Sequence, residues 1–412
     1  MACFQHVLWR FIVVCFICVT FNVHALSEQK YSIYIDADFS GAVASSQSIK
    51  QGINTALAEI NYQIQGITFE IVVKNHRANS LRSKRNLEEF LTNEDALMVF
   101  SGLHSPPLLA NKSFINNNRI LLLDPWAAAG PITRSTDNEN WIFRLSIDDS
   151  NAGTFISDQA LKQGFKKPFL LLEDTGWGRS NEKTMNMALE KASIEGNGLS
   201  WFNWGIGKNH AKVMLRNIKE SGADVIFFVG NAREGSTFTT AMTELPAELR
   251  LPIRSHWGIT GGDFTATIPA EQRKKVDLQF IQTNFSFLTE KLSPFAQQVL
   301  NVAIDNNTAI NNANDIKAPT GFVHGYDLTK IVIAAINQVK LTGNRKQDKT
   351  AIHYALEHLK QPVHGLLKTY QQPFAEYNKM KSNAHEALGL YDYSMGYYND
   401  QGETVLLETI SH

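Results

Sequence analysis

Ser105-Pro106-Pro107 is the stretch whose residue types point most directly to a binding chemistry. Serine is a good helix N-cap and proline suits the first helical position, so the three residues read as a helix start. A helix N-terminus beside a free hydroxyl is a natural carboxylate site. A plain cap explains the same residues equally well, and the two prolines lack N–H donors that such a site uses. Trp126 and Trp177 each follow a short apolar run. Aromatic side chains at such places either line a pocket or pack a surface. Further on, Gly261-Gly262-Asp263 sets one carboxylate in a Gly-rich turn, where it either enters a cleft or closes the turn itself.

Signatures of catalysis and metal binding are weak or missing. Gly205-Ile-Gly207-Lys208-Asn209 lacks the spacing and the final Ser/Thr of a phosphate-binding loop, and Gly176-Trp-Gly178 lacks the third glycine of a dinucleotide fingerprint. No Gly-x-Ser-x-Gly elbow occurs. His385-Glu386 has no second histidine at zincin spacing, and His353 and His358 stand five apart, off a common helix face. The expectation is therefore no catalytic residue, no cofactor and no metal ligand.

The elements that must position these residues alternate. Tyr31 to Asp36, Phe69 to Val73, Ala96 to Phe100, Ile120 to Leu123, Phe169 to Leu172 and Val225 to Val229 read as strands, with helical patterns between them. One example is Ile49, Ile53, Ala56, Leu57 and Ile60 on a single helix face. Repeated strand–helix units imply parallel sheets. So many strands would make one unusually wide sheet, so the pattern predicts two doubly wound, Rossmann-like lobes. The segments after about Asn284 read as mostly helical. In such folds ligands sit beyond the carboxyl ends of the strands, here the loops after Asp36, Phe100, Leu123, Leu172 and Val229 and that after Trp257.

The bulk composition fits this picture. The 412 residues suffice for two domains, and 43% are apolar. A formal net charge of −1 argues against a nucleic-acid partner. Arg10, the apolar run Phe11 to Phe21 and Val23-His24-Ala25 read as a secretory leader over residues 1–25, with an uncleaved anchor as the alternative. Cys3, Cys15 and Cys18 are the chain's three cysteines and all lie in that leader, so the exported protein would carry neither disulfide nor thiol.

Several stretches together resemble the type I periplasmic binding proteins, particularly the branched-chain amino-acid-binding group of ABC transporter receptors. They are Ser40-Gly-Ala-Val-Ala44, Gly52 with Ala58-Glu-Ile-Asn61, Gly102-Leu-His104-Ser105, Asp124-Pro-Trp-Ala-Ala-Ala-Gly-Pro131, Phe143-Arg144, Glu173-Asp-Thr-Gly-Trp-Gly-Arg179 and Gly325-Tyr-Asp-Leu328, with the segment around Gly365. The resemblance implies an α/β fold of two Rossmann-like lobes joined by three hinge crossovers. The first lobe is expected over residues 26–145 plus about 284–358, the second over 146–283 plus about 359–412. Ser105 and the Ala127-Ala128 loop would hold a ligand carboxylate from the first lobe, and His104 and Trp126 are further ligand-binding candidates. Trp177 would close over the ligand, and Asn231 or Ala232 would take the place of a second aromatic residue. Thr260 stands where amino-acid binders often carry an acid, which leaves open whether the ligand has an ammonium group or whether Asp263 pairs with it. The implied protein is a monomeric periplasmic receptor for a small carboxylate-bearing molecule. It would hand that molecule to an inner-membrane ABC permease or, alternatively, to a sensor receptor.

Overall fold

The computed structural model describes residues 29–134 and 139–407; the leader reading lies outside them. The first sheet has six strands in the order β2-β3-β1-β4-β5-β6. They are β1 (Lys30–Ala37), β2 (Gln63–Ile64), β3 (Ile67–Asn75), β4 (Ala96–Ser101), β5 (Leu122–Asp124) and β6 (Ile142–Arg144). All pairs are parallel except β2 with β3. The order turns at β1/β4, where ligands bind in doubly wound sheets. Helices α1 (Val43–Ala58), α2 (Ser80–Thr92) and α3 (Ser105–Asn117) connect these strands.

The chain then crosses to a second sheet. Helix α4 (Asp149–Lys162) leads into β7 (Pro168–Glu173), α5 (Gly176–Lys191), β8 (Leu199–Phe202), α6 (Lys208–Glu220), β9 (Val225–Val229), α7 (Ala232–Thr243) and β10 (Ile253–Ser255). Two short turns, α8 (Phe264–Thr267) and α9 (Ala270–Arg273), precede β11 (Leu278–Thr283). A second crossing brings α10 (Pro294–Asn306), α11 (Pro319–Gln338) and α12 (Arg345–Glu357) back onto the first lobe. Helix α11 lies so close to α1 that a Cβ at Gly52 would stand 2.2 Å from the Phe322 carbonyl oxygen, and one at Gly325 2.6 Å from that of Ile49. Glycine at both positions is what lets the two backbones touch.

The hairpin β12 (Val363–His364) and β13 (Thr369–Tyr370) changes an expected boundary. The Asp327 carboxylate on α11 accepts hydrogen bonds from Leu366 N at 2.6 Å, Leu367 N at 3.1 Å and Tyr370 Oη at 2.8 Å. Residues after 358 therefore stay with the first lobe. The third crossing comes just before β14 (Tyr393–Tyr398), which with β15 (Thr404–Leu406) forms an antiparallel edge on the second sheet. The second sheet thus runs β15-β14-β11-β10-β9-β7-β8. Where the sequence after Asn284 reads as mostly helical, these late strands are an addition.

Arg144 fastens the hinge. It sits at the end of β6, wholly buried, and its guanidinium meets Asp148 Oδ2 at 2.6 Å and Glu386 Oε1 at 3.0 Å. Asp148 caps α4 on the first crossover; Glu386 lies on the approach to the third. Arg134 bridges the same two carboxylates at 2.7 and 3.1 Å.

Candidate functional site

The carboxyl ends of strands from both sheets meet at a small cavity of about 130 Å³. Asp38, Gly41, Leu103 and His104 line it from the first lobe, and Trp204, Asn231, Arg233, Glu234, Gly258 and Gly261 from the second. Binding pockets usually measure about 300–1,000 Å³. This cleft is therefore close to shut. Polar contacts between the lobes include Ser45 N to the Gly261 carbonyl at 3.2 Å, Gly130 N to Ser180 Oγ at 3.2 Å and, from α11 to β11, Thr320 Oγ1 to Gln282 Oε1 at 2.5 Å and His324 Nε2 with Thr283 Oγ1 at 2.8 Å. The rings of His104 and Trp204 face each other across it at 5.7 Å.

Negative groups dominate the cavity. Asp38 Oδ1 accepts from Ser40 N and Gly41 N at 3.0 and 2.9 Å, and Oδ2 lies 3.3 Å from His104 Nε2. Burial alone would raise the Asp38 pKa, but His104 and the two backbone amides outweigh it and hold the carboxyl far below its usual range. Glu234, in the first turn of α7, accepts from Gly205 N at 2.9 Å through Oε1. Its Oε2 has no partner among the described residues. Asn231 gives its Nδ2 to Glu173 Oε2 at 3.1 Å, while its Oδ1 is buried without a donor. The one cation on the lobe 2 rim, Arg233, is exposed and forms no ion pair among the described residues.

Glu173 ends β7 behind Asn231 and Trp204, fully buried. Its oxygens accept from Thr175 Oγ1 at 2.7 Å and Trp204 Nε1 at 3.1 Å. Burial, with Glu234 and Asp149 nearby, outweighs those bonds and lifts its pKa from 4.5 to about 7. A carboxyl whose pKa is raised on folding binds more protons when folded. Its contribution is complete below about pH 4.5 and is lost as pH rises toward 7. Glu173→Gln copies the protonated form. Its stability advantage over the wild type is expected to widen by about 2 kcal/mol between pH 5 and pH 8. Urea titrations at both pH values measure this; a constant gap would mean that Glu173 ionises normally.

The structure brings only His104, Asn231 and Ala232 of the sequence-derived candidates into the cavity wall. Ser105 is buried and its Oγ accepts from Ala129 N at 3.3 Å, so the hydroxyl serves its own lobe. Ala127 N is bound to Asp124 Oδ1 at 2.8 Å, and the Ala128 carbonyl accepts from Asp149 N at 3.0 Å. That loop is therefore committed to internal bonds. Trp126 is buried against Trp257, with ring centroids 5.5 Å apart. Trp177 packs edge-on to His256 at 4.9 Å and donates its Nε1 to Asp149 Oδ1 at 3.0 Å. Thr260 Oγ1 donates to the Trp257 carbonyl at 2.7 Å and accepts from Gln282 Nε2 at 3.1 Å. These three lie beneath the cavity. Asp263 is exposed and lines a neighbouring surface groove with Lys208 and Ser236. The residues that sequence reasoning missed are Asp38, Glu173, Arg233 and Glu234. Each lies at or just beyond a strand end, which is the signal that marks them.

Comparison with known proteins agrees with the architecture. The family described as periplasmic binding protein matches residues 36–250. A type 1 periplasmic binding protein from Bordetella pertussis superposes with a TM-score of 0.76 at 16% identity, over 92% of this chain and 99% of that one. An ABC transporter solute-binding protein from Rhodopseudomonas palustris, solved with 4-hydroxybenzoate, gives 0.73 at 17% identity, over 92% and 96%. A branched-chain amino acid transporter substrate-binding protein from Streptococcus pneumoniae, solved with isoleucine, gives 0.71 at 19%, over 91% and 97%. No curated protein sequence matches the chain.

Proposed function

Because this chain belongs to the periplasmic binding protein family, we propose that it is a periplasmic receptor that closes its lobes on a small amino acid and presents it to an ABC permease. The observation that carries the choice of ligand is the unpaired chemistry of one small cavity. Asn231, whose Oδ1 is buried without a donor, and Glu234, whose Oε1 accepts from Gly205 N, line the same space as Arg233, which forms no ion pair among the described residues. A charge excluded from water needs a partner, so this set fits a zwitterion: the ammonium at Glu234 and Asn231, the carboxylate at Arg233. Asp38 adds a permanent negative charge from the opposite lobe. Ligand that touches both lobes stabilises the closed form by its differential affinity. A plain aromatic acid would leave Glu234 and Asn231 without a donor.

The test is a thermal-shift and calorimetry series. Isoleucine and smaller amino acids are compared with their 2-oxo acids and with 4-hydroxybenzoate. A ligand present at a hundred times its Kd stabilises by about 2.7 kcal/mol, which raises Tm by roughly 5–10 °C for lobes of this size. An amino acid should give that shift and each 2-oxo acid should bind at least tenfold more weakly. Tightest binding by 4-hydroxybenzoate, or no shift with any amino acid, would reject the reading.

A further inference from the structure

Outside the cavity wall, two histidines and a glutamate converge at the base of the third crossover. His353 and Glu357 lie one turn apart on α12, and His385 comes from the segment after β13. Their ligating atoms all fall within 4.8 Å of one another. His353 Nδ1 is 3.6 Å from Glu357 Oε2, and His385 Nε2 is 3.0 Å from Glu357 Oε1.

The tautomers can be read from the outer contacts. His353 Nε2 meets the Asn140 carbonyl at 2.9 Å, and His385 Nδ1 meets the Ile142 carbonyl at 3.0 Å. A carbonyl only accepts, so both of these nitrogens carry their protons. In neutral imidazoles the inner nitrogens then present lone pairs to a carboxylate, which also only accepts. Three acceptors turned toward one point, each imidazole held by a backbone carbonyl behind it, is the arrangement that protein metal sites use. At Zn–ligand distances of about 2.0–2.1 Å, a tetrahedral ion separates its ligands by roughly 3.3 Å. The contacts of His385 with Glu357 Oε1, at 3.0 Å, and of His353 with Oε2, at 3.6 Å, lie near that value; Oε1 also accepts from Tyr377 N at 2.9 Å, and Oε2 is the oxygen left for an ion. An aromatic wall surrounds the group: Phe143 stacks on His385 at 3.9 Å and Trp141 lies 4.1 Å from His353.

We propose that His353, Glu357 and His385 form a binding site for a divalent transition-metal ion, zinc foremost. Two imidazoles and one carboxylate suit zinc, with a fourth position left for water. Because His385 adjoins Glu386 and its carbonyl accepts from Arg144 N at 2.9 Å, the ion would tie the third crossover to α12 and to β6. It would brace the hinge and leave the ligand cleft untouched.

The test uses the purified full chain, stripped with EDTA and titrated with zinc chloride. One equivalent of zinc should bind and raise Tm. His353→Gln, which leaves the His385–Glu357 contact in place, should weaken binding by at least tenfold, as should Glu357→Gln. X-ray absorption of the zinc-loaded wild-type protein should show two imidazole nitrogens, a measurement that holds even if a variant misfolds. No zinc uptake, equal uptake by wild type and folded variants, or a zinc shell without two imidazoles would each overturn the proposal.

Discussion

Replacing Arg144 by methionine is expected to destabilise the protein by about 3–5 kcal/mol, the range for breaking a buried ion pair from one side. Arg144 has no exposed surface, and it spans Asp148, Glu386 and the Ala129 carbonyl, the last at 2.9 Å. Burial disfavours its charge, but Glu386, Asp148 and Asp124 outweigh that and keep the guanidinium protonated. Without it, two buried carboxylates must share Arg134, which is partly exposed. Asp124 shows what this interior does to a poorly compensated acid: its burial raises the pKa to about 6 even with Arg144 present. Methionine fills much of the volume, so the loss should come from charge and not from a cavity. Urea titration at pH 7 measures it. The double variant Arg144→Met/Glu386→Gln should recover at least about 1 kcal/mol by removing one stranded charge. If the second change only adds to the loss, charge imbalance is not the cause.

The same residue shows what a sequence can disclose. Phe143-Arg144 stands out because an arginine closes an apolar run, and that marks it for a role. Its partners Asp148 and Glu386 are visible only once the third crossover folds back beside β6. The parallel core strands were legible for a simple reason. Val225–Val229 and Ala96–Ser101 are buried on both faces and so read as unbroken apolar runs. Three-residue β10 and β15 carry too few residues for any period to register, and six-residue β14, YSMGYY, shows neither an unbroken apolar run nor a buried–exposed alternation. The expected return to the second lobe at 359 misses because Asp327 captures the β12–β13 hairpin by side-chain bonds, which leave no local signature.

The cavity lies at strand ends to which the sequence points, but only His104, Asn231 and Ala232 of the candidate residues line it. Ser105 is the first residue of α3, but the N-cap position falls to His104, no side chain caps the helix, and the Ser105 hydroxyl turns inward to Ala129 N. Local sequence predicts a cap and says nothing of which side of the loop it faces. The histidine cluster was missed for a related reason. His353 was weighed against His358, five residues on, whereas its neighbour on the helix face is Glu357 at the i+4 position, and His385 joins from another segment.

Glu234→Gln should weaken amino-acid binding by about 2–5 kcal/mol, the cost of removing one partner of a desolvated charge pair. That corresponds to a loss of roughly thirtyfold to several thousandfold in Kd. The substitution keeps the Oε1 that accepts from Gly205 N, so the turn after β8 and the first turn of α7 should stay in place. What it removes is the negative charge of a carboxylate that lines the cavity. Asp38 supplies charge from the opposite lobe, but its oxygens already serve two backbone amides and His104. It should therefore compensate only in part, and Asp38→Asn on top of Glu234→Gln should cost more still. The matching 2-oxo acid has no ammonium, so its affinity should stay within about threefold. This contrast separates a lost ion pair from a damaged cleft, because damage would weaken both ligands alike. Calorimetry with the tightest amino acid and its 2-oxo acid on wild type and variant gives all four affinities. Unchanged amino-acid binding by Glu234→Gln would take the ammonium away from α7 and leave Asp38 to hold it.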